Sequence, residues 1–561
     1  MSDDSVAEVP PSWSKSELSG LADLMRGVSY KKEDASSSPA SDSVPLIRAT
    51  NITGSSLTFD GLVHVPKRYV SSDQIIRRGD IVIASSSGSK DVVGKAGQMV
   101  AEFAPVSFGA FCTVIRPAVE VDPRYVGYYF ESPEYRSAIS EISAGSNINN
   151  IKSSELALHV VPVAPRAEQT RIVEKLEELL SDLDAGVAEL KAAQRKLAQY
   201  RQSLLKAAVE GALTADWRAA RIGTVPVPLP PPLAGEGEGG GNTTRAASPH
   251  HAPPSQPSPA SGGRGQGETG ADLLQRILSE RRARWEQKQL ARFADQGKTP
   301  PKDWQAKYPQ PIEPDLSDLP PLPDGWTWAT IDQVAHVGTG VTPLRSKRAY
   351  FDGGEIPWTT SGALNDEFVT SATEYVTQAA VDECRLQMYP AGTLLVAMYG
   401  EGKTRGKCAE LTFSSTINQA IAAIVFEQPA IEARSHVRTF LLDAYEAMRK
   451  QASGGVQPNL NLQIVKALAV PLPSPFEQVE IAVTLNAALA AVKEQQAAIE
   501  HALTQAAAQR KNILKSAFAG QLVPQDPNDE PASALLARIR ATRAADGSIT
   551  RKRGRKAKEN A

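Results

Sequence analysis

The sequence contains very little cysteine and no long apolar run. Three cysteines among 561 residues, Cys112, Cys384 and Cys408, are too few for a disulfide framework and favour a reducing compartment. The longest apolar candidate, residues 420–426, has the length of a strand, whereas a membrane span needs about 18 residues. The acidic residues 1–10 lack the apolar core of a signal peptide. We therefore expect a cytoplasmic protein without a membrane span.

A surplus of positive charge and the common catalytic signatures are also missing. The 61 Lys and Arg residues are balanced by 63 Asp and Glu residues, which argues against a uniformly basic DNA-binding surface but leaves local basic patches open. The sequence has no Asn/Asp-Pro-Pro-Tyr/Phe tetrapeptide, no glycine-rich dinucleotide motif and no zinc-ligand spacing, and no Ser-His-Asp set can be assigned. It thus predicts a chain that binds rather than catalyses, with no metal or cofactor of its own.

One segment comes close to a phosphate-binding loop. The run from Ala397 to Thr404 nearly fits the P-loop pattern if alanine replaces the first glycine, and taken literally it predicts an NTPase. A P-loop must lead into a helix whose N-terminus holds the phosphates. Residues 409–413, which follow, instead have the pattern of a strand. The NTPase is therefore kept only as an alternative.

A long internal repeat organises the chain. With Gly145 placed over Gly454, an offset of 309, the two halves align without a gap for 69 positions and share 18 identities. Fainter similarity places residues 273–277 over 535–539 at an offset of 262. The difference of 47 residues falls on the segment 223–270, which holds 10 Pro and 11 Gly in 48 residues, a composition typical of a disordered linker.

The repeat predicts two mixed domains, each followed by a long helix. The expected segments are 1–165 (first mixed domain), 166–221 (first long helix), 222–270 (linker), 271–319 (helix and connecting loop), 320–474 (second mixed domain), 475–525 (second long helix) and 526–561 (terminal helix and basic tail). Within the domains the pattern predicts strands at 80–84, 114–116, 159–163, 393–397, 420–426 and 467–471 and helices at 123–140 and 433–452. The tail, with six cations in residues 551–558, is expected to be disordered and to add phosphate affinity.

The long helices carry apolar residues at intervals of seven. This period predicts that the two helices pair as a coiled coil, rather than packing separately on their own domains. Such a helix spans roughly 60 Å at about 1.5 Å per residue, and Gly211 and Gly520 are its expected terminators. The predicted seam consists of Leu176, Leu183, Leu190, Leu197 and Leu204 in the first helix and Leu485, Val492, Ile499 and Ile513 in the second.

Polar loops in both mixed domains are the candidate DNA-binding elements. Arg and Lys suit phosphates and guanine edges, whereas Asn and Gln suit adenine edges. Each of these residues could equally be a solvated turn residue. The candidates are Lys90, Lys95, Asn147, Asn149 and Lys152 in the first domain and Arg345, Lys347, Arg348, Lys403, Arg405, Lys407, Asn418, Gln419 and Asn459 in the second.

This organisation resembles the specificity subunit of type I restriction–modification systems. The resemblance rests on two variable domains, each followed by a related helix that begins near Glu-Gln and ends with Gly-x-Leu, and it covers nearly the whole chain outside the linker. Local motifs agree with the family's target-recognition domains in order: Gly-Asp-Ile at 79–81, the Ser-rich run 85–90 and residues 107–111 in the first half, and 322–328, 340–343, 356–358 and 417–420 in the second.

The resemblance implies an α+β protein. Two mixed α/β target-recognition domains would be separated by two long antiparallel coiled-coil helices in a pseudo-twofold repeat, and each domain would read one half of an asymmetric bipartite site in double-stranded DNA. Two methyltransferase subunits and the restriction and translocase subunits are the implied partners; S-adenosylmethionine, ATP and Mg would be bound by them and not by this chain. A coiled-coil scaffold without DNA specificity is the second alternative.

Overall fold

The computed structural model describes residues 9–87, 89, 92–144, 150–222, 267–399, 404–453 and 460–559. The chain forms two compact units, of which unit 1 comprises Met1–Ala193 with Ala498–Ala561 and unit 2 comprises Gln194–Ala497. Most of the predicted linker, residues 223–266, lies outside the described residues. In the described part of the chain, no helix is long and apolar enough to cross a membrane.

Unit 1 is a mixed domain with three sheets and short helices. Its strands are β1 (Ser14–Glu17), β2 (Ala22–Arg26), β3 (Ser43–Ile47), β4 (Ile52–Thr53), β5 (Ser56–Leu57), β6 (Val63–Pro66), β7 (Ile81–Ala84), β8 (Ala96–Gln98), β9 (Ser107–Phe108), β10 (Cys112–Pro117) and β11 (Val160–Val163). Its short helices are α1 (Leu18–Leu21), α2 (Pro123–Tyr129), α3 (Pro133–Ala144) and α4 (Ser153–Ala157). The long helix α5 (Arg166–Val209) begins in unit 1 and continues into unit 2.

The core of unit 1 lies on both faces of its central sheet, which has the order β2-β10-β7-β8-β5-β4. In β7, Ile81 and Ile83 pack in one cluster with Tyr125 of α2, while Val82 packs in another with Phe108 of the small sheet β6-β3-β9. A strand that is covered on both faces is apolar at every position. This explains why the sequence predicted a strand here.

Unit 2 repeats this arrangement with different sequence. Its strands are β12 (Thr327–Thr330), β13 (His336–Thr339), β14 (Ile356–Thr359), β15 (Phe368–Val369), β16 (Glu374–Val376), β17 (Leu394–Ala397), β18 (Cys408–Leu411), β19 (Thr416–Ile417), β20 (Ile421–Val425) and β21 (Ala469–Leu472). Its helices are α6 (Ala215–Ile222), α7 (Gly270–Asp295), α8 (Ile331–Val334), α9 (Gln378–Cys384), α10 (Arg434–Asp443), α11 (Tyr445–Ser453) and α12 (Leu462–Ala467). The chain ends with the long helix α13 (Pro475–Phe518) and with α14 (Ala532–Glu559).

The sheets of the two units have the same order and direction over five strands of the central sheet, and β4 is a sixth strand of unit 1 without a counterpart among the described strands of unit 2. The central sheet of unit 2 is β13-β20-β17-β18-β15, antiparallel except where β15 runs parallel to β18, just as β5 runs parallel to β8 in unit 1. The small sheet β16-β14-β19 matches β6-β3-β9, with one antiparallel and one parallel pair in each. The pairs β1–β11 and β12–β21 are also equivalent.

Three helix predictions need correction. The helix predicted at 123–140 is two helices, α2 and α3, because Pro133 disfavours a helical conformation in the residue before it. The segment predicted at 433–452 likewise divides into α10 and α11 around Ala444. The first long helix ends at Val209 rather than at 221, since Gly211 follows with a left-handed φ of 78°.

The second long helix and the C-terminal tail also differ from their predictions. The second long helix, predicted at 475–525, ends at Phe518, because Gly520 follows two residues later with a left-handed φ of 71°. The tail predicted to be disordered is instead part of α14, which continues through residues 551–558. Its composition accounts for this, because residues 551–558 contain no proline and are mostly lysine and arginine, which are good helix formers.

Both long helices contribute to the core of each unit. In unit 1, Leu176 of α5 lies in one buried cluster with Leu514 and Phe518 of α13. In unit 2, Leu204 of α5 lies in one cluster with Leu485 of α13. The nine predicted seam residues are buried or half-buried, with Leu176, Leu204, Leu485 and Val492 buried and Leu183, Leu190, Leu197, Ile499 and Ile513 half-buried.

Candidate nucleic-acid interface

One edge of unit 1 gathers loops from four strands into a cavity of about 750 Å³. The loops follow β2, β3 and β7 and connect β9 to β10, so residues far apart in sequence meet at one end of the sheet. We call this edge the first rim. It is lined by Val28, Ser29, Tyr30, Lys32, Arg48, Ala49, Thr50, Ser86, Ser87 and residues 109–112.

Backbone hydrogen bonds hold the first rim together. The Val28 amide donates to the Phe108 carbonyl at 2.8 Å, and the Gly109 amide donates to the Ile47 carbonyl at 2.9 Å. At Gly27 the backbones approach so closely that a Cβ would lie 2.0 Å from the Gly109 carbonyl oxygen. The loops are therefore fixed relative to one another, as a recognition surface requires.

The side chains on the first rim suit an anionic, partly aromatic ligand. Phe111 is 68% exposed, and Tyr30 is half-buried beside it in the lining. Lys32 and Arg48 are exposed cations, and one Arg48 Nη donates to the Gly61 carbonyl at 3.2 Å. Cations suit phosphate oxygens, and apolar rings suit thymine methyl groups or base faces. This combination matches a nucleic-acid contact surface.

Unit 2 builds the same edge from equivalent backbone contacts. The Val341 amide donates to the Ile417 carbonyl at 3.1 Å, and the Asn418 amide donates to the Thr359 carbonyl at 3.1 Å. A Cβ on Gly340 would lie 1.7 Å from the Ile417 carbonyl oxygen. The two amide contacts reproduce those of Val28 and Gly109, whereas Gly340 approaches the carbonyl one position earlier than the one that Gly27 approaches. We call this edge the second rim.

The described residues of the second rim include two side-chain amides, a hydroxyl and an aromatic ring. Gln419 is exposed, and its side-chain oxygen accepts a hydrogen bond from the Thr342 hydroxyl. The Asn418 side-chain oxygen accepts from the Ala420 amide at 3.2 Å, and the amino group is the donor of this side chain. Tyr399 is 40% exposed, and its neighbour Met398 donates a backbone hydrogen bond to the Ala420 carbonyl at 2.8 Å. The two rims thus have equivalent backbone hydrogen bonds but different exposed side chains.

Two predicted cations of unit 2 are engaged in ion pairs. The Arg345 guanidinium lies 4.9 Å from the centre of the Trp358 ring and donates to Glu374 at 3.1 Å, and this hydrogen bond raises the pKa of Arg345. Lys347 pairs with Glu383, which raises the pKa of the lysine. Both side chains are nonetheless exposed, as is that of Arg348.

Lys95 and Lys407 occupy equivalent hairpin positions away from the rims. Each follows a left-handed glycine, with φ of 77° at Gly94 and 81° at Gly406. Lys95 lines a separate cavity of about 470 Å³ that also contains Glu131. Lys407 Nζ donates to the Asn365 side chain at 2.8 Å. The structure therefore does not bring these two lysines to the rims.

Two other predicted positions, Lys152 and Arg405, lie within the described residues. The exposed Lys152 starts α4 and pairs with Glu155, and its neighbour Ile151 donates a backbone hydrogen bond to Ser85 at 2.8 Å, beside the first rim. The Arg405 Nε is buried without a hydrogen-bond partner among the described residues. Outside the described residues lie Lys90, Asn147, Asn149, Lys403 and Asn459.

Sequence reasoning missed Tyr30, Lys32, Arg48 and Phe111. They lie up to about 80 residues apart and share no local motif, so only the sheet order brings them together. A usable signal was present at Gly27, because a glycine at the end of a strand often marks a close backbone approach.

The two rims lie in regions that match the same family. The family model for the type I restriction modification DNA specificity domain matches residues 10–192 and again residues 323–501. These two matches cover more than half of the chain, and the chain belongs to this family. Each match includes one of the two rims described above.

Individual relatives agree with this assignment over part of their length. The chain is 43% identical over 211 residues to the type I restriction enzyme StySPI specificity subunit of Salmonella potsdam, covering 38% of this chain and 45% of that protein. It is 43% identical over 214 residues to the EcoKI specificity subunit of Escherichia coli K12, covering 38% and 46%. The chain therefore spans about half the length of the curated relatives it matches.

A solved structure supports the fold. The chain is similar, with a TM-score of 0.57 and 14% sequence identity, to a chain from a study of complex assembly and conformational transition of the type I restriction–modification system. The similarity covers 92% of this chain and 100% of that one. At this identity the likeness supports the mixed α/β fold with long helices.

Proposed function

We propose that the chain is the non-catalytic DNA-specificity subunit of a type I restriction–modification complex. Each mixed domain is a target-recognition domain that reads one half of an asymmetric bipartite DNA site. The observation that carries this proposal is the pair of rims, which share their backbone contacts but not their side chains. Because base contacts depend on side chains, the two rims prefer different half-sites.

We further propose that α5 and α13 form an antiparallel coiled-coil spacer within a pseudo-twofold repeat. The shared clusters support this, because the start of α5 packs with the end of α13 in unit 1, and the reverse holds in unit 2. Each helix has 44 residues, which corresponds to about 66 Å at ~1.5 Å per residue. Such a spacer is long enough to serve half-sites one DNA turn apart, about 34–36 Å between centres.

The partners follow from the family. Two methyltransferase subunits dock on the helices and bring S-adenosylmethionine to the DNA that this chain selects. Restriction and translocase subunits supply the ATP- and Mg-dependent steps, and the complex acts in the cytoplasm. Support comes from the relatives, which are type I restriction enzyme specificity subunits.

The two alternatives have less support. An NTPase would need a helix after the loop that follows β17, yet the chain enters strand β18 (Cys408–Leu411). A scaffold without DNA specificity would not need two edges with matched backbones and different side chains. Equal binding to every duplex at a fixed salt concentration would favour the scaffold.

Methylation in a reconstituted complex tests the proposal. The purified chain alone should transfer no methyl group, and the methyltransferase subunits without it should show no site preference. Together they should methylate a bipartite site, which sequencing of modified bases would reveal. Methyl transfer by the lone chain, or equal modification of all sites by the complex, contradicts the proposal.

A further inference from the structure

Each long helix carries an arginine at the same position of the repeat. Each of these arginines contacts the mixed domain of the unit in which it lies. Arg201 lies on α5 within unit 2, and Arg510 lies on α13 within unit 1, one repeat offset of 309 residues later. Both side chains are only about one-third exposed, at 36% and 30%. Because both helices have an arginine at this position and both arginines contact a domain, we infer that they have the same structural role.

In unit 2 the contact continues as a chain of alternating charges. Arg201 donates to one oxygen of Glu367, which lies just before β15, and Arg438 of α10 donates to the other oxygen at 2.7 Å. Arg438 and Arg434 lie 4.0 and 3.6 Å from Glu410 of β18. The chain of charges therefore runs from the long helix to the central sheet.

In unit 1 the arginine bridges two acids on different elements. Arg510 donates to Glu131, directly after α2, at 3.0 Å, and to Asp184 of α5 at 2.8 Å. Burial raises the pKa of Glu131, and the guanidinium partly offsets that effect. One guanidinium thus ties both long helices to the domain.

The acid that accepts the arginine comes from a different place in each domain. In unit 2 it precedes the edge strand β15, whereas in unit 1 the residue before the equivalent strand β5 is Ser55 and the acid follows helix α2. The arginine occupies the same position in both long helices, whereas the glutamate that accepts its hydrogen bond comes from a different part of each domain. Such an arrangement docks two different domains on the long helices in a defined way.

We propose that Arg201 and Arg510 are positioning residues that fix the orientation of each recognition domain on the long helices, and thereby the spacer length that the complex accepts. This inference rests on the proposed function. In unit 1 the planar guanidinium of Arg510 holds two acceptors, Glu131 and Asp184, in one geometry, and in unit 2 the carboxylate of Glu367 holds two guanidinium groups, those of Arg201 and Arg438. Loosening the orientation allows the two rims to meet half-sites at other separations.

A library of bipartite sites with spacers of different length tests this inference. The full chain, in complex with its methyltransferase subunits, is compared with Arg201→Gln and Arg510→Gln. The matched controls are Arg195→Gln and Lys511→Gln, which remove exposed cations of the same helices that form no ion pair with a described residue. We expect the preference for the best spacer over one a base pair longer or shorter to fall about three- to fivefold in the test variants only.

Several outcomes are decisive. If Arg201→Gln and Arg510→Gln keep the wild-type spacer preference, or weaken binding equally for all spacers, the inference is wrong. If the wild-type complex shows no bipartite preference at all, the proposed function fails instead. Glu367→Gln removes the acceptor's charge without changing the helix, and it should relax spacer preference as Arg201→Gln does. Retained preference in a folded Glu367→Gln complex would also overturn the inference.

Discussion

The indole Nε1 of Trp13 donates a hydrogen bond to Glu168 Oε2 at 3.0 Å, and Trp326 donates the equivalent bond to Glu477 at 2.8 Å. Both tryptophans and both glutamates are at least 90% buried. Each glutamate lies in the first turn of a long helix, and each tryptophan lies at the start of a mixed domain. The pair therefore fastens each domain to the helix that follows it in sequence.

Replacing Glu477 should destabilise the protein strongly. Glu477 also accepts from Thr214 at 2.7 Å and from Arg218, whose side chain is only 16% exposed. Glu477→Gln leaves this buried cation without its charge partner, and we expect the free energy of unfolding to fall by about 3 kcal/mol. Urea unfolding measures the change, and the exposed Glu494→Gln on the same helix is the control. A loss no larger than the control's would show that Glu477 is not an anchor.

Acid should destabilise the protein through His436. Burial lowers its pKa to about 4 from an ordinary value of 6.5, and Nε2 is 2.7 Å from the Pro471 carbonyl oxygen. Between these values the unfolded chain binds the proton and the folded chain does not, so stability falls as the pH decreases from 6.5 towards 4. The loss amounts to about 3 kcal/mol.

Unfolding measured at pH 7 and pH 4.5 checks the contribution of His436. The variant His436→Gln cannot titrate but can still donate to the carbonyl. It should lose less stability than the wild type between the two pH values. An unchanged pH dependence in this variant would assign the acid sensitivity to other groups.

A methyl group at Gly340 should disrupt the second rim. Its Cβ would lie 1.7 Å from a backbone oxygen, which cannot be relieved by a side-chain movement. The control is Gly362→Ala, whose new Cβ would have its nearest neighbour at 3.9 Å. We expect Gly340→Ala to weaken binding of one half-site by at least tenfold and Gly362→Ala to have little effect. Equal affinities in a titration with bipartite duplex would show that the rim does not contact DNA.

The Pro/Gly-rich insert should be dispensable. Its composition does not support a packed core, and the family matches end before it and resume after it. Replacing residues 226–264 by a Gly-Ser sequence of equal length should leave the melting temperature and the DNA preference unchanged. A drop of several degrees would mean that the insert packs on the rest of the chain.

Periodicity explains what the sequence could predict. Central strands such as β7 and β17 are buried on both faces, so they stand out as short apolar runs. The long helices follow from their seven-residue spacing, whereas their ends lie just before Gly211 and Gly520 and not at the predicted 221 and 525. The break before Pro133 was missed because the apolar pattern continues through it.

The candidate sites were harder to predict because they depend on tertiary contacts. A cation in a loop looks the same whether it is free or paired, and Arg345 and Lys347 are paired with acids about 30 residues away. Arg48 and Phe111 meet only because β3 pairs with β9 in parallel. The spacing of these residues in the sequence predicts neither the ion pairs nor the meeting of Arg48 and Phe111.

The most direct test of the account is a binding selection on randomised duplex DNA with the complete complex. Two double variants are compared with the wild type, Arg48→Ala with Phe111→Ala on the first rim and Gln419→Ala with Tyr399→Ala on the second. We predict an asymmetric site of two specified blocks, in which each double variant relaxes one block and leaves the other intact. A continuous palindromic site, or equal relaxation of both blocks by either variant, would contradict the two-reader account.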